Sequence, residues 1–137
     1  MPYVNRAVYN YLYYSQGATV ISSDETSQGT ASTTYTKIKE VTLRNRINPN
    51  SKFRVTFTMT RGATAGNINA RVYVNEVAVG TEQVTGTAKT WEEDISSTNW
   101  GENMRIQVYG KTATGAETCN ISNLYIKAVG SQWEKSL

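Results

Sequence analysis

The sequence predicts an all-β protein, an antiparallel two-sheet β-sandwich of the jelly-roll type that carries an extended N-terminal arm. Three observations lead there. Apolar and polar side chains alternate with a period of two, most clearly in KFRVTFTMTR, where Phe53, Val55, Phe57 and Met59 share one face and Lys52, Arg54, Thr56, Thr58 and Thr60 the other. Turn-rich separators, SSDETSQGTAST, NRINPNS, RGATAGN, SSTNWGEN and KTATGAE, recur at spacings of roughly 8–12 residues. The polar fraction is dominated by Thr, Ser, Asn and Gly. That mixture favours strands and turns, because threonine is stiff at χ1 while serine and asparagine compete for backbone hydrogen bonds. A chain of 137 residues has room for one domain.

Taken in order, residues 1–17 form an arm or first strand, residues 18–130 the sandwich and residues 131–137 a tail. The arm holds Tyr3, Tyr9, Tyr11, Tyr13 and Tyr14, five of the nine tyrosines. Val4, Val8, Tyr11 and Leu12 fit helical spacing, but tyrosine's β preference makes 9–14 extended. Strands follow at 19–23 and 34–44. In the second, Ile38 and the pair Val41, Leu43 can all face inward only if the backbone bulges near Lys39 or Glu40. After the strand at 52–61 come two short strands, 70–74 and 77–84, around a turn at Asn75-Glu76. Glu76 departs from the Asn-Gly that a tight type I′ hairpin prefers, which leaves a longer or irregular turn open beside the two-residue one. Residues 89–95 and MRIQVYG continue the pattern, the latter with Met104, Ile106 and Val108 inward and Arg105, Gln107 and Tyr109 outward. The last strand, 119–129, slips by one residue between Ile121 and Leu124, which predicts a second bulge. Cys119, the one cysteine, reads as a small hydrophobe of that strand.

Little catalytic chemistry is available. There is no histidine, so the commonest general base and transition-metal ligand are missing together. A single cysteine cannot assemble a usual zinc site, and neither a phosphate-binding loop nor a G-x-S-x-G elbow is present. Only a carboxylate-pair hydrolase survives as an enzymatic option, and a small sandwich offers little material for its cleft. The expectation is no enzyme, no cofactor and no metal site. The triplet Glu92-Glu93-Asp94 would alternate faces in a strand and reads as a solvated edge, not a calcium site.

Binding residues are easier to nominate. Trp91, Trp100 and Tyr109 are candidate platforms for a glycan, against the plainer role of anchors closing the sandwich. Between Lys37 and Arg61 lie seven basic residues and one acid, Glu40, whereas the rest of this +3 chain is net acidic. Such a stripe reads as the solvated face of a sheet, or else as a contact for nucleic acid, anionic sugars or an acidic protein partner. Nucleic acid is the less favoured partner because no aromatics interleave its exposed face. No apolar run approaches the ~18–20 residues of a membrane span, so no membrane partner is expected, and no basic-then-apolar leader opens the chain.

The stretch from Ala70 to Gly130 combines the hairpin VYVN-x-VAVGTE, a W-x-x-x-I strand at Trp91, a polar turn at Trp100-Gly101, an I-Q-V-Y strand and a closing N-L-Y-I strand. In this it resembles the small jelly-roll proteins displayed on virions of tailed phages and archaeal viruses, such as capsid decoration, turret and fibre-head proteins. That resemblance implies a non-enzymatic structural protein on the virion surface, assembled in the host cytoplasm. It also implies a homo-oligomer, a trimer first, whose terminal arms reach across coat subunits. Tyr3, Tyr9, Tyr11, Tyr13, Tyr14, Arg44, Arg46 and Trp133 are then the expected protein interface. The alternative is a carbohydrate-binding module or receptor-binding fibre tip that uses Trp91, Trp100 and Tyr109.

Overall fold

The computed structural model describes residues 19–43, 52–62, 66–96 and 104–129. The tyrosine-rich arm, Arg44, Arg46, Trp100 and Trp133 lie outside them. The described residues form β1 (Thr19–Asp24), β2 (Gln28–Thr30), β3 (Thr36–Leu43), β4 (Lys52–Gly62), β5 (Ile68–Val74), β6 (Val77–Ala78), β7 (Gln83–Thr85), β8 (Ala88–Ser96), β9 (Met104–Thr112) and β10 (Thr118–Val129). No helix occurs among them, so none is long and apolar enough to cross a membrane.

Two antiparallel sheets face each other. One has the order β1-β10-β4-β8, with β2 pairing the first half of β10; the other has the order β3-β9-β5-β6, with β7 pairing the first half of β5. The chain changes sheet at β2–β3, β3–β4, β4–β5, β7–β8, β8–β9 and β9–β10. Those crossings and the two strand orders are the jelly-roll winding that the sequence predicts.

The period-two pattern decides what lies between the sheets. Phe53, Val55, Phe57 and Met59 of β4 are fully buried, and they meet Ile68, Ala70 and Val72 of β5, Ile106 and Val108 of β9, and Ile121, Leu124 and Ile126 of β10. Cutting Phe57 back to alanine would cost about 3–5 kcal/mol through lost transfer energy and the void left behind. Cys119 belongs to this core and its thiol contacts the Asn69 carbonyl at 3.6 Å.

Both expected bulges are present. In β3 the register shifts between Lys37 and Lys39, and in β10 between Ser122 and Tyr125, where Asn123 has φ of 53°. The first has an outcome the basic stripe did not anticipate. The bulge turns Lys39 inward as well as Ile38, leaving Lys39 2% exposed. Its ammonium donates to the Thr26 carbonyl and to Thr26 Oγ1 at 3.2 Å, and pairs with Asp24 at 3.1 Å. The stripe is therefore not one face: Lys37 and Lys39 belong to β3, whereas Arg54, paired with Asp94, and Arg61 belong to β4 in the opposite sheet.

Two further departures have local causes. Residues 77–84, expected as one strand, divide into β6 and β7 because the N–H groups of Val79 and Gly80 both converge on the Val72 carbonyl, at 3.1 and 3.0 Å. Gly80 is needed there, since a Cβ would meet Glu93 Oε1 at 2.9 Å and Val72 Cβ at 3.0 Å. β2 arises inside a stretch expected to be a separator, where it pairs with Cys119, Asn120 and Ile121.

Candidate functional site

The outward positions of β3, β9 and β5 form one continuous polar and aromatic face. Alternation turns Asn69, Arg71 and Tyr73 outward from β5, and Arg105, Gln107, Tyr109 and Lys111 from β9. The β5–β9 register sets Arg71 opposite Tyr109 and Tyr73 opposite Gln107. Tyr73 and Tyr109 are therefore diagonal neighbours, close enough for long side chains to meet. Their rings stack, with centroids 3.9 Å apart and planes 16° from parallel.

A third ring extends the row. Tyr35, just before β3, lies 6.3 Å from Tyr73 at a tilt of 54°, and the Lys111 ammonium sits 4.9 Å from the centre of its ring. The Tyr35 hydroxyl donates to Glu82. Burial first, and the Glu82 carboxylate second, push the Tyr35 phenol well above the usual range, so it stays a donor at any ordinary pH. The same bond, with one from Asn69, holds Glu82 below its usual range.

Beside the rings the face has a buried polar floor. Gln107 points outward as predicted, yet its neighbours cover it completely. Its Nε2 donates to Glu40 Oε1 at 2.9 Å and to Glu76 Oε2 at 2.6 Å, while its Oε1 accepts the Glu76 backbone N–H at 2.9 Å. This amide orientation is the one that matches two acceptors and one donor. Glu40 also pairs with Lys37 at 2.9 Å, and Glu76 with the Arg105 guanidinium. The Gln107 hydrogen bond is the main reason both carboxyls are held below their usual range, with Lys37 and Arg105 assisting.

The hairpin at this end of the face turns at Asn75-Glu76, as the sequence places it, and of the turns left open there it takes the tight one. Asn75 and Glu76 have φ of 50° and 67°, and Val74 pairs directly with Val77, as in a two-residue type I′ turn. Positive φ is costly for a side chain such as glutamate. The Gln107 and Arg105 bonds to Glu76 offset that cost, and Asn75 adds a bond from the Arg105 N–H to its Oδ1 at 3.0 Å. A strained residue held by two partners, Gln107 and Arg105, on an outer surface directs attention to function.

Of the residues nominated from sequence, Tyr109 lies in this face. Trp91 does not: it pairs with Phe57 on the inner side of β8, is half-buried against the core, and donates from Nε1 to Glu93 at 3.3 Å. It is an anchor, which corrects its nomination as a glycan platform. Trp100, Arg44, Arg46, Trp133 and the five arm tyrosines lie outside the described residues. Sequence reasoning missed Tyr35, Tyr73, Arg71 and Lys111, as well as the Gln107-centred network. For Tyr73 the signal was available: alternation in NARVYV turns it outward just as alternation in IQVYG turns Tyr109 outward.

Among the described residues no three metal-ligating side chains cluster. Burial raises the Cys119 thiol to about 11, so it is not a nucleophile. What the face offers is stacked rings, ionised carboxylate acceptors, a rigid amide and cations, an inventory suited to holding a ligand.

No family model matches the chain, and no curated protein matches it. Solved structures do. The C-terminal domain of EclA, a sugar-binding protein, superposes with a TM-score of 0.56 at 11% identity, covering 79% of this chain and 81% of that one. The CBM22-1 xylan-binding domain from Paenibacillus barcinonensis Xyn10C gives 0.56 at 10% identity, covering 84% and 97%. Dimeric latent PorU from Porphyromonas gingivalis gives 0.51 at 8% identity over 82% of this chain and 13% of its own. At these identities the shared property is the fold: this chain is a β-sandwich of the kind that also builds carbohydrate-binding modules.

Proposed function

We propose that this protein is a non-enzymatic glycan-binding module that lays a sugar chain along the outer face of β3, β9 and β5. One observation carries the reading: the stacked rings of Tyr73 and Tyr109 stand directly beside Glu40 and Glu76, two carboxylates fixed by one buried amide. Sugars present apolar C–H faces and vicinal hydroxyls together. Aromatic rings cover the first, and preorganised acceptors and donors take the second. The face from Arg105 to Lys111 is about 20 Å long at ~3.4 Å per strand residue, enough for several sugar units. Two of the similar folds named above belong to proteins described as sugar-binding or xylan-binding.

Binding without turnover is the consistent outcome. Glycoside hydrolysis needs one carboxyl kept protonated near neutral pH as general acid. Glu40, Glu76 and Glu82, the three carboxyls on this face among the described residues, are all shifted the other way. The capsid-decorating role rests on the arm, the missing catalytic groups and the resemblance over Ala70 to Gly130; its interface residues in the arm, Arg44, Arg46 and Trp133 lie outside the described residues.

The test is calorimetric titration of the full chain against a panel of soluble oligosaccharides. Saturable binding that is lost in Tyr73→Ala, with the thermal midpoint nearly kept, supports the reading. Absence of binding across the panel, or binding untouched by Tyr73→Ala and Tyr109→Ala, overturns it.

A further inference from the structure

Resting on that reading, we infer that the preferred glycan is anionic, and that Arg71 and Lys111 receive its carboxylate or sulfate groups. Among the described residues the outer face of this sheet carries four cations, Lys37, Arg71, Arg105 and Lys111, and three carboxylates, Glu40, Glu76 and Glu82. The cations are not equivalent. Lys37 is bonded to Glu40 at 2.9 Å and Arg105 to Glu76 through two nitrogens, so both are neutralised within the protein. Arg71 and Lys111 form no ion pair among the described residues.

Each is nevertheless held in place. The Arg71 Nε donates to the Gly80 carbonyl, which fixes the guanidinium and leaves both Nη groups without a partner among the described residues. An oriented guanidinium fork with two open amino groups is the geometry that takes a carboxylate or sulfate through paired hydrogen bonds. Lys111 rests against the ring of Tyr35, a contact that orients the ammonium without cancelling its charge. Glu82, the carboxylate of this region, accepts the Tyr35 hydroxyl and stays ionised; Arg71 and Lys111 both act on its charge through space without forming a salt bridge, so two cations stand over one carboxylate.

Register brings the two cations together on the aromatic row. Arg71 lies opposite Tyr109 and Lys111 opposite Asn69, so the cations are diagonal neighbours, roughly 7–8 Å apart at the backbone. One anionic group could be shared by both while its sugar ring covers Tyr109. At the Arg105 end, where each charge among the described residues is matched, the face offers acceptors and donors to neutral hydroxyls. The site thus has a neutral end and a cationic end, and a polymer with charged and uncharged surfaces would span both.

The experiment titrates the full chain with oligogalacturonate, chondroitin sulfate and neutral xylohexaose. Expected is an affinity for at least one anionic probe about tenfold or more above the neutral one, declining as salt rises from about 50 to about 500 mM. The preference between the two anionic probes identifies carboxylate or sulfate as the recognised group. Arg71→Gln with Lys111→Gln should weaken binding of the anionic probe far more than binding of xylohexaose, so that the ratio of the two affinities falls to about one. Should Arg71→Gln disturb the bulge at Gly80, Lys111→Gln alone must still reduce the preference, and Arg71→Lys must retain part of it. Equal or tighter binding of xylohexaose, or an anionic preference that survives both substitutions, overturns this inference while leaving glycan binding intact. Failure of all three probes to bind overturns the glycan reading and this inference with it.

Discussion

The two sheets turn equal rows of side chains to the outside and fill them differently. On the β4–β8 side three outward residues of β4 are matched by the one directly across, Arg54 with Asp94 at 2.7 Å, Thr56 with Glu92 at 3.1 Å and Thr58 with Thr90 at 3.1 Å, and Lys127 of β10 reaches Glu92 at 3.6 Å. On the β5–β9 side the contacts are diagonal or reach across strands, from Tyr73 to Tyr109, Gln107 to Glu40 and Glu76, and Tyr35 to Glu82. Direct pairs saturate one another and leave a surface with little to give a ligand. A diagonal network fixes its members and still leaves hydroxyls, ring faces and guanidinium nitrogens pointing outward. The difference separates a face that protects the sheet from a face equipped to bind.

Breaking the comparison at its centre should have the largest effect. Tyr73→Ala with Tyr109→Ala is expected to weaken glycan binding about thirtyfold or more, the ~2 kcal/mol of a hot-spot aromatic, in calorimetric titration. Thr58→Ala with Thr90→Ala, the matching change on the other face, should leave affinity within about twofold and stability within ~0.5 kcal/mol. Next comes Gln107→Ala. It strands two carboxylates and a backbone N–H that had shared one amide, and a loss of about 2 kcal/mol in urea unfolding is expected, together with weaker binding.

Acid provides an intermediate effect. Glu40, Glu76 and Glu82 are held below their ordinary value of 4.5 in the folded state. A depressed carboxyl contributes stability that is fully present above the unfolded value and is lost as pH falls through the folded one. Affinity and the urea midpoint should therefore be level between about pH 6 and 8 and decline below about pH 4.5. Asp24 and Glu117, shifted the same way but off this face, add to the fall in stability and not to the fall in affinity. The smallest effect is expected for Glu76→Gly. Glycine suits the positive φ at that position, so the thermal midpoint should hold or rise slightly, while binding weakens through the lost carboxylate. A fall in both would show that the turn, and not the ligand, is what Glu76 serves.

The sandwich was legible because its information is local. KFRVTFTMTR states its own two faces, and the slips at Ile38 and Ile121 mark bulges that the register shifts at Lys37/Lys39 and Ser122/Tyr125 bear out. The face was legible only in part because it depends on pairing. Tyr73 and Tyr109 lie far apart in the chain, and nothing in either segment says that β5 and β9 are neighbours or in which register. The tryptophans drew attention by size alone, and Trp91 proved to serve the interior. Lys39 shows the converse: its charge reads as surface, and only the bulge carries it inside. Glu76 reads as a poor turn residue until Gln107, distant in sequence, supplies its partners.

Cys119 has a use that packing does not advertise. It is the single thiol of the chain, fully enclosed between the sheets and resistant to ionisation. An alkylating reagent can reach it only when the sandwich opens, so the rate of modification clocks that opening from inside the molecule. A ligand seated on the outer face of β5 and β9 would slow the clock in proportion to its occupancy, which makes a sulfur atom that never touches the ligand a reporter of its binding.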